Sequence, residues 1–443
     1  TILPCGKEGT DFMTFTLILC GATCLFMILS IFLYPTVKVG KLNLDSYVLA
    51  ALTGALVLLC SGRVSFGHIL EKMTENSAVN PLKILCLFLS MTFLSVFLDE
   101  LGFFSFLAVK ALEKSGTNQK KLFFYLYFTV SVLTVFTSND VIILTFTPFI
   151  CYFSKNAGID PLPYLFAEFI AANTWSMALI IGNPTNIYLA TSSGVSFFSY
   201  FSTMLLPTIL TGLVALLMLW LLFRKKLQKP MEIQRKKAFL GDRPSLILGI
   251  LLLSSCTVTM AVSSYFHVEM WIISLGAVLL LCVLSAILSL CRRRRPSELW
   301  GALKRLPYAI IPFVLSMFVL VLGLNEAGFT GLVAEFLGRE QPILRYGLSS
   351  FLAANVVNNI PMSVFYSSVL EWGKAPLPAV YATVIGSNIG AFLTPIGALA
   401  GIMWSGLLRN CGVPFKNRTF LKYGVLLSLP AMGAALLGLF LSM

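Results

Sequence analysis

The sequence predicts an all-α polytopic membrane protein built of two inverted-topology repeats, with re-entrant helical hairpins and broken, unwound transmembrane helices. Three observations predict it. Of 443 residues, 57% are hydrophobic and only 12% charged, about half the charged share of soluble chains, too little to clothe a surface in water. Apolar runs of spanning length follow one another along the chain. Three polar landmarks occur twice, in the same order. The length would suit about three soluble domains, yet the longest polar stretches, 61–81 and 224–243, are too short to be one.

The first apolar run, 12–34, is too long for a signal-peptide core and reads as a true span. That the chain opens on Thr1 rather than Met predicts processing or truncation. Further runs lie at 46–60, 82–98, 121–137, 162–181, 203–223, 244–265, 269–290, 307–324, 342–357 and 421–441. About 20 helical residues cross roughly 30 Å of hydrocarbon, so several of these are short. Between them, 138–155, 358–371 and 377–408 are apolar but interrupted by Gly, Pro, Asn, Ser and Thr. Hydrocarbon tolerates such backbone only where protein buries it or it lines a wet cavity. These pieces mark the expected site. The predicted organisation is N-terminal scaffold spans at 1–81, a first repeat at 82–223, basic loops and linking spans at 224–306, and a second repeat at 307–443.

The net charge of +13, from 32 Lys and Arg against 19 Asp and Glu, sits in short connections. Anionic lipid and the positive-inside bias account for it there, and no nucleic-acid partner is expected. Residues 224–243 carry Arg224, Lys225, Lys226, Lys229, Arg235, Lys236, Lys237 and Arg243, and four consecutive arginines stand at 292–295. Both loops read as cytoplasmic, with the hairpin at His267 and Glu269 outside. The run 82–98 then descends from outside to inside, 307–324 ascends, and the N-terminus falls outside. The ten cysteines are scattered without a CxxC pair, which argues against a disulfide framework.

The opposed orientations matter because the two regions look alike. Leu98-Asp99-Glu100-Leu101-Gly102-Phe103 resembles Leu324-Asn325-Glu326-Ala327-Gly328-Phe329, Asn139-Asp140 has a counterpart in Asn358-Asn359, and Asn173 precedes Ile181-Gly182 as Asn388 precedes Ile396-Gly397. Recurrence with reversed orientation is the mark of transporters that bind substrate near the midplane between broken helices.

Four constellations carry the chemistry. Thr137-Ser138-Asn139-Asp140, with Thr145, Thr147 and Pro148 beyond, is a polar tip between apolar runs. It reads as a re-entrant hairpin whose oxygens ligate a cation such as Na⁺ and whose N–H groups hold an oxyanion. The plain alternative is an interfacial helix cap. Asp140 weighs against that, because a carboxylate at membrane depth is costly and usually functional. Asn173-Thr174-Trp175-Ser176, followed by Gly182-Asn183-Pro184-Thr185-Asn186, reads as an unwound stretch near 182–186, or as a loop closing the run 162–181. Asn358-Asn359-Ile360-Pro361 is the second tip. Gly386-Ser387-Asn388-Ile389-Gly390 with Thr394-Pro395-Ile396-Gly397 is the second unwound stretch, near 386–397. Each alone could be a turn; paired across a repeat they are hard to dismiss. The expected binding residues are Ser138, Asn139, Asp140, Asn173, Thr174, Gly182, Asn183, Thr185, Asn186, Asn358, Asn359, Ser387, Asn388, Thr394 and Gly397.

Other residues weigh less. Glu168 reads equally as a proton relay or as a paired acid. Asp99, Glu100 and Glu326 read as caps at membrane edges. Cys20 and Cys24 share a helix face as packing residues. The two histidines, His68 and His267, lie in connections, and neither an HExxH nor a Walker A pattern occurs. No catalytic or metal site, and no enzyme, is expected.

At these four motifs the chain resembles the ion transporter superfamily, and most closely its arsenite/antimonite efflux permeases. The family's Asn-Asp-x6-Thr-Pro pattern is matched from Asn139-Asp140 to Thr147-Pro148. Its Asn-Asn-Met/Leu-Pro signature is similar to Asn358-Asn359-Ile360-Pro361, and its C-terminal glycine-rich motif looks like Gly386 through Ala400, with Ile389 and Ala398 as departures. Gly182-Asn183-Pro184-Thr185-Asn186 is closer to the form in carboxylate carriers, and Ser387-Asn388 is compatible with sodium-binding variants. The resemblance covers roughly 45–440. It implies a multi-pass protein of a bacterial cytoplasmic membrane working by an elevator motion.

The expected activity is proton-coupled efflux of arsenite or antimonite. Trivalent arsenic in neutral water is an uncharged trihydroxide that needs hydrogen-bond partners rather than a counter-charge, and Asp140 is the expected proton carrier. The alternatives are a sodium-coupled carrier of citrate, a dicarboxylate or another small anion, and a sodium–proton antiporter. No Lys or Arg adjoins any motif, which disfavours a multiply charged substrate unless Na⁺ and helix N-termini neutralise it. The expected partners are lipid, a small inorganic or carboxylate substrate and a coupling proton or Na⁺. No cofactor is expected beyond bound Na⁺, and a homodimer and an ATPase subunit stay open.

Overall fold

The computed structural model describes residues 7–34, 36–39, 42–76, 80–231, 240–263, 266–413 and 417–443. Arg235, Lys236 and Lys237 of the basic loop, and Cys5, lie outside them. A long helix α1 (Lys7–Leu33) leads into a two-stranded antiparallel hairpin, β1 (Thr36–Val39) with β2 (Leu42–Asp45), and then α2 (Ser46–Cys60) and the short α3 (Phe66–Thr74). Among the described residues this strand pair and an isolated bridge between Asn118 and Pro230 are the β structure in a helical chain, and no apolar run foretold them.

A run of seven helices follows: α4 (Pro81–Glu100), α5 (Phe103–Ser115), α6 (Gln119–Phe136), α7 (Asn139–Asn156), α8 (Leu162–Trp175), α9 (Pro184–Ser192) and α10 (Phe197–Phe223). Next come α11 (Arg243–Val262), α12 (Met270–Cys291) and α13 (Ser297–Lys304). A second run of seven completes the fold: α14 (Ile310–Glu326), α15 (Phe329–Leu337), α16 (Pro342–Val357), α17 (Asn359–Trp372), α18 (Leu377–Leu393), α19 (Leu399–Asn410) and α20 (Asn417–Ser442).

Among the described residues six helices are long and apolar enough to cross a membrane, namely α1, α4, α10, α11, α12 and α20, and the bent pair α14–α15 makes a seventh crossing if taken as one span. The protein is therefore a multi-pass membrane protein. The expected runs at 121–137, 162–181 and 342–357 do not form single crossings. They are α6, α8 and α16, of 18, 14 and 16 residues, and each turns or breaks where its polar landmark begins.

Packing recurs in matched pairs. α6 lies along α8 as α16 lies along α18, and α8 packs on α10 as α18 packs on α20. α7 packs on α19 while α17 packs on α9, so each hairpin rests on the broken helix of the other run. α12 covers α4 as α2 covers α14. The corners between α4 and α5 and between α14 and α15 fall at Gly102 and Gly328, with φ of +76° and +80°, a conformation glycine adopts without steric cost. The second corner bends by 79°.

The most extensive helix packing is between α16 and α18, and Gly386 makes it possible. A Cβ there would collide with Ser350 Oγ and stand 2.6 Å from the Gly347 carbonyl and 2.7 Å from Phe351 N. Gly386→Ala is expected to destabilise the protein by about 1–3 kcal/mol, read as a lower melting temperature in detergent.

Two of the acids read as caps are ion-paired with an arginine instead, and the third faces a histidine. Arg305 bonds Asp99 at 2.6 Å and Glu100 at 2.7 Å, tying the end of α4 to the segment after α13, and His68 stands 3.3 Å from Glu326. These acids stand at the C-terminal ends of α4 and α14, where the open groups are carbonyls; a carboxylate only accepts and cannot cap them, so it turns to donors instead. At the basic end, Asp242 caps α11 through Ser245 and pairs with Arg292 at 2.7 Å and Arg294 at 3.1 Å. Partial burial pulls its carboxyl up, but the Ser245 hydrogen bonds and the two arginines outweigh this and hold it below the usual aspartate range. A carboxyl held low stabilises the fold above its unfolded value of about 4 and loses that contribution as pH falls through its folded value. Asp242→Asn is thus expected to lower the melting temperature at neutral pH and to flatten its decline in acid.

Candidate functional site

The first tip is made by two helices that stop at polar residues. α6 ends at Phe136, Thr137 is extended, and α7 starts at Asn139 with Ser138 as its N-cap, accepting from the Asp140 N–H at 3.3 Å. Asn139 Oδ1 accepts from the same N–H at 2.9 Å, while its Nδ2 donates to Asn173 Oδ1 at 3.1 Å. The cap and the site are thus the same residues. Asp140 is 7% exposed. Among the described residues no donor reaches its carboxylate. Tyr47 of α2 lines a small cavity with Asn358 and Ile396 of the second tip and break.

The break in the first run begins earlier than expected. α8 ends at Trp175, and two turns of 3₁₀ helix, Ser176–Ala178 and Ile180–Gly182, carry the chain to Asn183, the N-cap of α9. Thr185 and Asn186 are therefore not unwound but lie in the first turn of α9, because Pro184 is suited to a helix's first position. Gly182 is required by closeness, since a Cβ would run into the Ser176 backbone.

The second run differs in the same sense. Gly386, Ser387 and Asn388 sit inside α18, which stays helical to Leu393, and the break covers only Thr394–Ala398. Gly386 and Gly390 serve close packing on α16 rather than unwinding. The second tip is a single residue: Asn358, at φ +75°, caps α17 by accepting from Ile360 N at 3.2 Å, and its Nδ2 donates to the Ile396 carbonyl at 2.8 Å. Asn355 braces the break, donating to Gly390 O at 3.0 Å and accepting from Thr394 Oγ1 at 2.6 Å. A Cβ on Gly397 would stand 2.8 Å from Asn355 Oδ1.

Asn388 joins the two runs. Its Nδ2 donates to Asn186 Oδ1 at 2.7 Å and Val384 O at 2.9 Å, and its Oδ1 accepts from Asn183 Nδ2 at 2.9 Å and Ser176 Oγ at 3.1 Å. Asn186 Nδ2 in turn donates to the Ser176 carbonyl at 2.8 Å. Buried amides need such partners, and here they find them across more than 200 residues of sequence. Four buried oxygens beside these amides have none among the described residues: Thr174 Oγ1, Thr185 Oγ1, Asn359 Oδ1 and Ser387 Oγ. Each is next in sequence to a bonded amide, at Asn173, Asn186, Asn358 and Asn388.

Ser176, Asn355 and Tyr47 belong to the arrangement although none is among the expected binding residues. Ser176 lies inside the second constellation and Asn355 three residues before the second tip, whereas Tyr47 carries no sequence signal. Glu168 is fully buried and accepts from Thr147 Oγ1 at 2.9 and 3.1 Å. It pairs with a hydroxyl of the hairpin and not with a lysine. Among the described residues no Lys or Arg is buried, and no group of three or more His, Cys, Asp or Glu residues is placed to hold a metal ion.

A sequence profile of the citrate transporter family, CitMHS, matches residues 46–371. The chain belongs to the citrate transporter family. It is similar to an arsenical pump membrane protein of Escherichia coli, 26% identical over 88% of this chain and 92% of that one, and to a 46 kDa membrane protein of Mycobacterium leprae, 22% identical over 89% and 92%. Its fold is similar to that of the YdaH transporter of Alcanivorax borkumensis, with a TM-score of 0.59 at 14% identity over 98% of each chain. The antimetabolite efflux pump MtrF of Neisseria gonorrhoeae gives 0.53 at 12% identity over 97% and 94%. A membrane transporter of this family, with the permease resemblance read from its motifs, is what the sequence and the fold agree on.

Proposed function

We propose that this family member exports arsenite or antimonite in exchange for protons, by alternating access. The observation that carries the reading is the donor and acceptor set at the junction of the tips and breaks. It holds amides, hydroxyls, four unpartnered oxygens and one carboxylate, with no buried cation among the described residues. An uncharged trihydroxide offers three O–H donors and oxygen acceptors to such a set and needs no counter-charge. The name of the Escherichia coli relative supports the same substrate.

Asp140 carries the coupling. A carboxylate buried without a counter-charge persists only with a proton or a bound cation. Taking a proton from one side and releasing it to the other, as substrate moves the opposite way, links the two fluxes. The moving unit consists of both tips, α8–α9 and α18–α19, because the amide bonds described above run among them and none reaches α2, α4, α12 or α14. Those four helices form the scaffold, and the two runs of helices are read as inverted repeats sliding against it as an elevator.

Sodium-coupled carboxylate uptake is the second reading, favoured by the family's description and by the unpartnered oxygens, which suit Na⁺. Flux into everted vesicles separates the two. Arsenite accumulation driven by a proton gradient and lost with an uncoupler is the expected result. Sodium-dependent citrate flux without arsenite movement would overturn it.

A further inference from the structure

The ends of α4 and α12 that lie away from the arginines border an opening. α4 runs from Pro81 to the Asp99–Glu100 pair held by Arg305, and α12 runs from Met270 to Arg292–Arg295. Their first residues therefore stand a full helix length from the basic end, roughly 30 Å at 1.5 Å per residue. There a cavity of about 330 Å³ lies between α4, the end of α9 and the start of α12. Its rim is polar: Lys83 Nζ is 2.7 Å from Glu269 Oε2 and also bonds Asn76, and Trp271 Nε1 donates to Glu269 at 2.6 Å. The remaining polar wall is Thr191 of α9.

A second cavity shares Ile84 with the first and continues along the same two helices towards the site. It measures about 10 Å³, room for about one water. Phe88 of α4, Tyr188 of α9, Val314 of α14 and Ile360 of α17 wall it, and Thr185, one of the four residues with an unpartnered oxygen, lines it with them. Separated at the shared Ile84 wall, the two cavities line up from a polar mouth, past an apolar neck, to a binding-site hydroxyl.

The neck is also where the two bodies meet. Phe88 and Val314 stand on scaffold helices, and Tyr188 and Ile360 on the moving unit. Sliding one past the other, as proposed above, changes the walls of the neck.

We propose that this line of cavities is the substrate's path to the membrane side opposite the basic loops, with Phe88 and Ile360 as the gate. It deepens the transport reading and rests on it. The mouth is a charge pair of zero net charge with amide, hydroxyl and indole neighbours. It passes a small neutral or singly charged polar solute and offers no site for a multiply charged anion. The charge pair also keeps the mouth wet, because Lys83 and Glu269 both reach solvent, with side chains 20% and 46% exposed.

Cysteine labelling tests the path without any substrate. Thr191→Cys and Thr185→Cys are made separately and treated in intact cells with a membrane-impermeant, charged methanethiosulfonate, the parent protein's own cysteines setting the baseline. Thr191→Cys is expected to react from outside and Thr185→Cys to stay at baseline. Adding Phe88→Ala to Thr185→Cys is expected to make it react several-fold faster. Ile360→Ala serves the same purpose if the first variant does not elute as folded protein. Labelling of Thr191→Cys only from the cytoplasmic side, or none, would overturn the path. Equal labelling of Thr185→Cys with and without the gate variants would overturn the gate. Failure of arsenite flux in vesicles touches neither result, so the path and the substrate fail separately.

Discussion

Asp140→Asn is expected to abolish proton-driven accumulation in everted vesicles, by at least about a hundredfold, the loss that corresponds to about 2.7 kcal/mol, while the protein still elutes as a folded species. The exchange removes a titrating group and almost no volume. Among the described residues no donor reaches the carboxylate, so no hydrogen bond to its oxygens is lost. Asn139 opens α7 as Asn359 opens α17, so each hairpin helix already starts on an amide. Were Asp140 only a favourable charge at the start of α7, its removal would cost about 0.3–1 kcal/mol of stability and leave driven flux intact. Two measurements on one variant therefore separate the roles: melting temperature for the helix terminus, and the response of flux to an imposed proton gradient for the coupling. Driven flux at the parent level would sink the assignment.

The asymmetry between the tips is what makes this prediction sharp, and it was legible in the sequence. Asn139-Asp140 and Asn358-Asn359 align by inspection, and only one carries an acid. The hairpins were legible for the same reason: polar tips between runs too short to cross are compatible with hydrocarbon only if protein buries them. What sequence reasoning misplaced was backbone state. Glycine and proline near Gly182-Asn183-Pro184 and Gly386-Ser387-Asn388 suggested unwinding at those residues. In the structure Pro184 starts a helix and Gly386 lets α16 approach α18 inside one. Both residue types break helices in isolation and serve them in context, and the context is tertiary. The β hairpin at 36–45 and the role of Tyr47 were illegible because neither leaves a periodic or motif signal. The same holds for the path past Phe88, whose walls come from four separate helices.

The amide junction gives the other large effect. Asn388→Ala is expected to remove transport and to lower the melting temperature by far more than a buried side-chain truncation without polar partners would. Asn388 makes four hydrogen bonds, three of them to Ser176, Asn183 and Asn186 in the other run of helices. Truncation strands Asn183 Nδ2 and Asn186 Oδ1 where those residues are 0–2% exposed, while Ser176 keeps its bond to the Asn173 carbonyl at 3.0 Å. Each buried group left unpaired costs about 1–3 kcal/mol, a large share of the roughly 5–15 kcal/mol that holds a typical fold together. Asn388→Asp separates bonding from charge: it keeps the acceptor for Asn183 and Ser176, loses the donor to Asn186 and Val384, and adds a carboxylate that pairs with no cation. If the junction works through its hydrogen bonds, the aspartate variant retains more stability than the alanine variant at a pH low enough to protonate it, since a protonated acid can donate one bond to Asn186. Its advantage then disappears as pH rises. An alanine variant that melts like the parent would mean that the two runs are held together by apolar packing between α10 and α20 and between α8 and α18, with the amides reserved for the substrate.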